Sequence, residues 1–102
     1  MSETPGLTEA TRDFLRALAS ENRQQILLLF ADGAARSVGE IATELGIGQS
    51  TASEQLAILR RGGVVRAQRE GKTVRYCADG NGISSALQEL QALLRVCCPP
   101  TA

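Results

Sequence analysis

The residues best equipped for chemistry are three thiols, Cys77, Cys97 and Cys98, the last two adjacent. Thiolates are soft ligands suited to a thiophilic centre. A vicinal pair offers two sulfurs to one atom without requiring a distant loop to close. The same pair is open to oxidation or persulfide formation, although a disulfide between neighbours in a helix is strained, so an intersubunit or mixed disulfide is the expected oxidised form. A third reading gives the pair no role, with Cys97 as apolar filling and Cys98 as an idle thiol. Histidine is absent altogether, removing the commonest general base and the commonest nitrogen ligand for zinc or nickel. There is no Ser/His/Asp set, Cys/His pair or phosphate-cradling glycine loop. The chain reads as a non-enzyme that requires no cofactor.

A second chemistry is electrostatic. Residues 60–75 hold Arg60, Arg61, Arg66, Arg69, Lys72 and Arg75, six of the eleven basic residues, against the single acid Glu70. A chain of zero formal net charge has gathered its positive charge in one segment. Just before it, Gln49, Ser50, Thr51, Ser53 and Gln55 supply short hydrogen-bonding side chains without a cation among them.

The elements that must position these groups are legible around them. Ser37 with Glu40 forms a capping box at the start of a short helix whose apolar face is Ile41, Ala42 and Leu45. Gly46-Ile47-Gly48 breaks it, and a second helix begins near Gln49, buries Leu56 and Leu59, and stops at Gly62-Gly63. This is a helix-turn-helix pattern, in which the start of the second helix enters the major groove. An ordinary pair of helices with a polar solvent face would look similar. The next segment decides: Val64–Arg69 and Thr73–Cys77 flank Glu70-Gly71-Lys72 as a basic β-hairpin, the distribution that phosphate contacts require. Upstream, Thr8 caps a helix running to Ala19 whose apolar positions Phe14, Leu15, Leu18 and Ala19 keep helical spacing. Ser20 caps another, to about Ala31, with Ile26, Leu27, Leu29 and Phe30 inward. Asp79–Gly82 reads as a loop, and a last helix runs from Ile83 to about Cys98, ended by Pro99-Pro100.

The expected architecture is mainly α with a small β-hairpin wing: a winged helix-turn-helix of five helices and two strands. Residues 1–7 read as a flexible arm, 8–98 as the DNA-binding and dimerisation domain, and 99–102 as a tail. At 102 residues there is material for one modest core. No apolar run is long enough to span a bilayer and no signal-peptide pattern opens the chain, so a cytoplasmic protein with reduced thiols is expected. In the last helix Ile83, Leu87, Leu90, Leu94 and Cys97 recur at helix-packing spacing, widened by Ala86 and Leu93. One small core cannot easily cover both terminal helices, so a homodimer through the first and last helices is expected, which also sets two recognition helices on two half-sites. Double-stranded operator DNA is the expected partner. The competing class is a protein–protein module with an incidental basic wing, and salt dependence separates the two.

These motifs resemble the ArsR/SmtB winged-helix repressors, a metal- and metalloid-responsive family. The resemblance covers nearly the whole chain: Leu18–Leu27 is similar to the start of its second helix, Ser37–Ala42 with Gln49–Ser53 to its helix-turn-helix, and Leu59–Val65 with Arg69–Tyr76 to its wing. It implies a dimeric repressor that leaves its operator when an inducer binds. Gln49, Ser50, Thr51, Ser53 and Gln55 are the candidates for base or phosphate contacts, and Arg60, Arg66, Arg69, Lys72 and Arg75 for the backbone or minor groove. The chain departs from the family at Glu54-Gln55, where paired histidines or similar neutral residues are usual. A carboxylate there repels phosphate but can accept a hydrogen bond from cytosine N4, so Glu54 either shapes sequence choice or faces away from the DNA backbone.

The family's cysteine motif in the first helix of the helix-turn-helix is absent, and its Asp/His site on the last helix cannot be built without histidine. Cys97-Cys98 resembles the cysteine pair that some arsenical-sensing members carry at the end of the last helix. The pair suits trivalent arsenic or antimony, or another soft metal. With only two sulfurs adjacent, an organic arsenical such as a methylated trivalent one is favoured, or inorganic arsenic with an exogenous third ligand. Cys77 lies about 20 Å of helix from Cys97 in one chain, so it would join only across a dimer; its plainer role is a small apolar residue at the wing's base. A thiol-redox sensor on the same fold, or a transition metal or other signal at a site the sequence does not display, stay open beside the arsenical.

Overall fold

The computed structural model describes residues 6–101. The expected N-terminal arm therefore falls largely outside the described residues, with only Gly6 and Leu7 of it inside, in no regular element. The elements are α1 (Glu9–Ala17), α2 (Glu21–Leu29) with a 3₁₀ turn at Phe30–Asp32, β1 (Arg36–Ser37), α3 (Val38–Leu45), α4 (Gln49–Arg61), β2 (Val65–Glu70), β3 (Thr73–Ala78) and α5 (Gly80–Cys97). The strands form one antiparallel sheet in the order β1-β3-β2.

Caps set the helix starts. The hydroxyls of Thr8 and Ser20 accept from the backbone N–H of Thr11 and Arg23. Ser37 accepts from the Glu40 N–H at 3.2 Å while Glu40 accepts from the Ser37 N–H at 2.9 Å, the reciprocal box read from the sequence. Gly46 takes φ 66°, the left-handed conformation that ends α3. The core gathers Phe14, Ile26, Phe30, Ile41, Leu56, Leu59, Val64 and Val65 with small Ala17, Ala42, Ala52 and Ala86 between them. Burying the apolar faces of α3 and α4 in this cluster fixes α4 relative to the sheet.

Two expectations are corrected. The sheet has three strands, not two: Arg36 and Ser37 pair with Tyr76 and Arg75 of β3. Ser37 is already extended as an N-cap, so its backbone lies in strand geometry, and two residues are too few to show a strand period. The segment Asp79–Gly82 is also not a loop. Asp79 caps α5 by accepting from the Gly82 N–H at 3.0 Å, and the helix starts at Gly80. Gly82 answers a close approach, since a Cβ there would overlap the Gly63 carbonyl. Gly62 does the same where α4 ends, as its Cβ would lie 2.7 Å from the Ala17 Cβ and 2.8 Å from the Asp13 carbonyl oxygen.

The chain is extended, 52 × 26 × 22 Å with a radius of gyration of 15.9 Å, against about 13 Å for a compact domain of this length. The 18 residues of α5 account for this. Ala86 is buried, but Leu87, Leu94 and Val96 stand 48%, 44% and 67% exposed along the helix, and Leu15 of α1 is 41% exposed.

Candidate nucleic-acid interface and cysteine pair

On α4 the residues turned into the core are Ala52, Leu56 and Leu59. At 3.6 residues per turn the row diametrically opposite is Ser50, Glu54, Ala57 and Arg61, all exposed. Gln49, Ser53 and Arg60 lie on one shoulder of that row and Thr51 on the other, and these too are exposed. Ser53, Ala57, Arg60 and Arg61 share a shallow groove with Tyr76 of β3, so the recognition helix and the wing meet there. The wing turns at Gly71-Lys72 with Arg66, Arg69 and Lys72 exposed. Glu70 belongs to β2, where it pairs with Thr73.

Two of the ten sequence-predicted DNA contacts are engaged within the chain. Gln55 is half-buried and its Oε1 accepts from Arg23 at 3.0 Å. Arg23 also donates to the carbonyls of Ala17 and Arg16, fastening the end of α1 to α2 and α4. Arg75 pairs with Glu40 at 2.9 Å and with Glu70 at 3.5 Å, so it ties the wing to the start of α3. The Glu40 carboxyl is held below its ordinary range, first by the Ser37 N–H, then by the Ser37 hydroxyl, with Arg75 adding to it. Sequence reasoning missed Ala57 and Tyr76 as members of this surface, counted Arg61 in the basic segment but not among the contacts, and left two readings open for Glu54. Summing 100° per residue from the buried leucines would have placed Ala57, Arg61 and Glu54 on it; Tyr76 depends on how the sheet packs.

At the far end, Cys97 closes α5 and Cys98 is its C-cap with φ −163°. The two sulfurs are joined as a vicinal disulfide, beside the intersubunit or mixed disulfide expected for the oxidised protein. Cys98 has already left the helix, so the two are not neighbours within it. Both residues are exposed. Cys77 is half-buried on β3 opposite Arg66, and a helix of about 26 Å separates it from the pair. Among the described residues no three of His, Cys, Asp and Glu converge as a metal-holding set, so one chain does not assemble Cys77 with Cys97 and Cys98. Nor, among the described residues, is any helix long and apolar enough to cross a membrane.

A family model described as "Bacterial regulatory protein, arsR family" matches residues 20–67, from the cap of α2 into β2. The transcriptional activator HlyU of Vibrio cholerae is 38% identical over 79 residues, covering 78% of this chain and 72% of its own. The chain belongs to the arsR family of bacterial regulatory proteins. Other likenesses agree. The biofilm growth-associated repressor of Agrobacterium fabrum is 35% identical over 86 residues, 84% of this chain and 70% of that one. The solution structure of the homodimeric winged helix-turn-helix DNA-binding domain from Mycobacterium bovis superposes with a TM-score of 0.68 at 36% identity, covering 86% of this chain and 82% of that one. This ArsR-family chain is thus a transcriptional regulator with a winged helix-turn-helix fold.

Proposed function

We propose that the protein is a homodimeric repressor that binds double-stranded operator DNA and is released by a thiophilic inducer, a trivalent arsenical, at Cys97-Cys98. The observation that carries the DNA part is the groove in which Ser53, Ala57, Arg60 and Arg61 of α4 meet Tyr76 of the wing, with exposed Arg69 on Tyr76's face of the sheet and exposed Lys72 at the turn. In this reading Gln49, Ser50, Thr51 and Ser53 reach base edges or phosphates, and Arg60, Arg66, Arg69 and Lys72 hold the backbone. Gln55 and Arg75 position the helix and the wing through Arg23 and Glu40. The homodimer is supported by the exposed leucines of α5 and by the homodimeric domain from Mycobacterium bovis. Repression is supported by the Agrobacterium relative, while HlyU carries the name of an activator.

The inducer reading is supported by two adjacent, exposed cysteines at the end of the helix that carries the apolar seam. In the reduced chain each thiol loses its proton as an As–S bond forms, and a hydroxyl on arsenic leaves as water. The joined sulfurs favour a second reading on the same residues, in which oxidation of the pair is the signal. In both, a change at the end of α5 shifts the paired helices and alters the spacing of the recognition helices.

Binding of a labelled promoter fragment, followed by fluorescence anisotropy from low to high salt, tests the DNA reading. Four phosphate-facing cations per protomer, eight in the dimer, imply a log–log slope of roughly −7, shallower in Lys72→Ala. A flat salt response would move the function to a protein partner.

A further inference from the structure

We infer that Glu54 is the residue through which α4 selects cytosine, accepting a hydrogen bond from the cytosine N4 amino group at one position of each operator half-site. The inference rests on the DNA-binding reading above and adds to it the base that is read.

Position comes first. Glu54 lies in the exposed row opposite Ala52, Leu56 and Leu59, so its carboxylate is carried outward where α4 would meet a groove. Ser50 precedes it by one turn and Ala57 follows by one turn, both short, so neighbours along the row do not screen it.

Charge comes second. Asp13, Asp32, Glu40, Glu44 and Glu70 each pair with an arginine, whereas among the described residues no ion pair reaches Glu54. Its helical neighbours at three and four residues are Ser50, Thr51, Ala57 and Ile58, none of them a cation. An unpaired carboxylate facing a polyanion is unfavourable unless it finds a donor there. Arg60, farther along α4, offsets the repulsion by meeting phosphate.

Chemistry then chooses the base. A carboxylate only accepts. In the major groove guanine offers two acceptors and thymine an acceptor and a methyl group, so both reject it. Adenine has the N6 amino donor but with the N7 acceptor beside it, whereas the cytosine amino group has only a C–H at its side. Cytosine is the base whose edge presents a donor without an adjacent acceptor. Selection thus works by attraction to one base and repulsion from the others.

The test is selection from a randomised duplex pool by the full reduced chain, comparing wild type, Glu54→Gln, Glu54→Ala and Lys72→Ala. The exposed site makes the first two changes harmless to folding, verified by an unchanged helical circular dichroism spectrum. Wild type is expected to enrich cytosine at one position per half-site, with a loss of roughly 5- to 100-fold for another base there. Glu54→Gln should turn that position to adenine, Glu54→Ala should leave it without preference, and Lys72→Ala should keep the motif at lower affinity. Identical motifs from wild type, Glu54→Gln and Glu54→Ala would overturn the inference while leaving DNA binding intact. Enrichment of no motif by wild type, with no retention of duplex, would overturn the DNA-binding reading itself.

Discussion

Arg36 gathers three elements with one guanidinium: it pairs with Asp32 at 2.8 Å after α2, with Glu44 at 3.3 Å on α3, and it begins β1. The Arg36 hydrogen bond is the main reason that the Asp32 carboxyl falls from 3.8 to about 2, with the Ala34 N–H assisting. A depressed folded value means that the contact stabilises fully above 3.8 and that this support disappears as pH falls through about 2. Asp32→Asn should therefore be less stable than wild type at neutral pH, and the gap should close on acidification below that window. Urea melts at several pH values check this; a gap that stays constant with pH would contradict it. At this scale the sequence displayed residue types well and partners poorly. The basic cluster and the polar start of α4 were legible from composition alone. The bonds Arg23–Gln55 and Glu40–Arg75 join residues 32 and 35 apart, a separation that no local pattern reports.

Among the elements, α3 and α4 were legible because their signals are local: a capping box, a left-handed glycine and two helical faces. The two-residue β1 and the start of α5 were not, because each is decided by what lies opposite. Glycine at position 82 looks like a turn residue in sequence but serves a backbone contact with Gly63 in the fold. Gly82→Ala should destabilise the chain by about 1–3 kcal/mol through overpacking against a rigid carbonyl, lowering the thermal midpoint. An unchanged midpoint would show that the start of α5 moves freely against the end of α4. In the proposed function that contact matters, since it sits between the helix carrying the cysteine pair and the helix proposed to read bases.

For the whole molecule, the long exposed seam of α5 is the feature that the single chain leaves unburied. Light scattering should give twice the chain mass of 10.8 kDa, and Leu87→Glu with Leu94→Glu should return it to one chain and weaken operator binding, because a single half-site remains per particle. A monomeric wild type, or a double variant that stays dimeric, would contradict the dimer through α5. The fold and the wing were legible at this scale because apolar spacing and charge clustering extend along the chain. The state of the thiols was not, since it depends on where α5 ends in space. The most direct test of the account follows the reduced protein bound to its own labelled promoter fragment while a monomethylated trivalent arsenical is added, with Cys97→Ser/Cys98→Ser in parallel. Release of the wild type at stoichiometric arsenical and continued binding by the double variant are expected. Wild-type protein that stays on the DNA, or a double variant released equally, would contradict it.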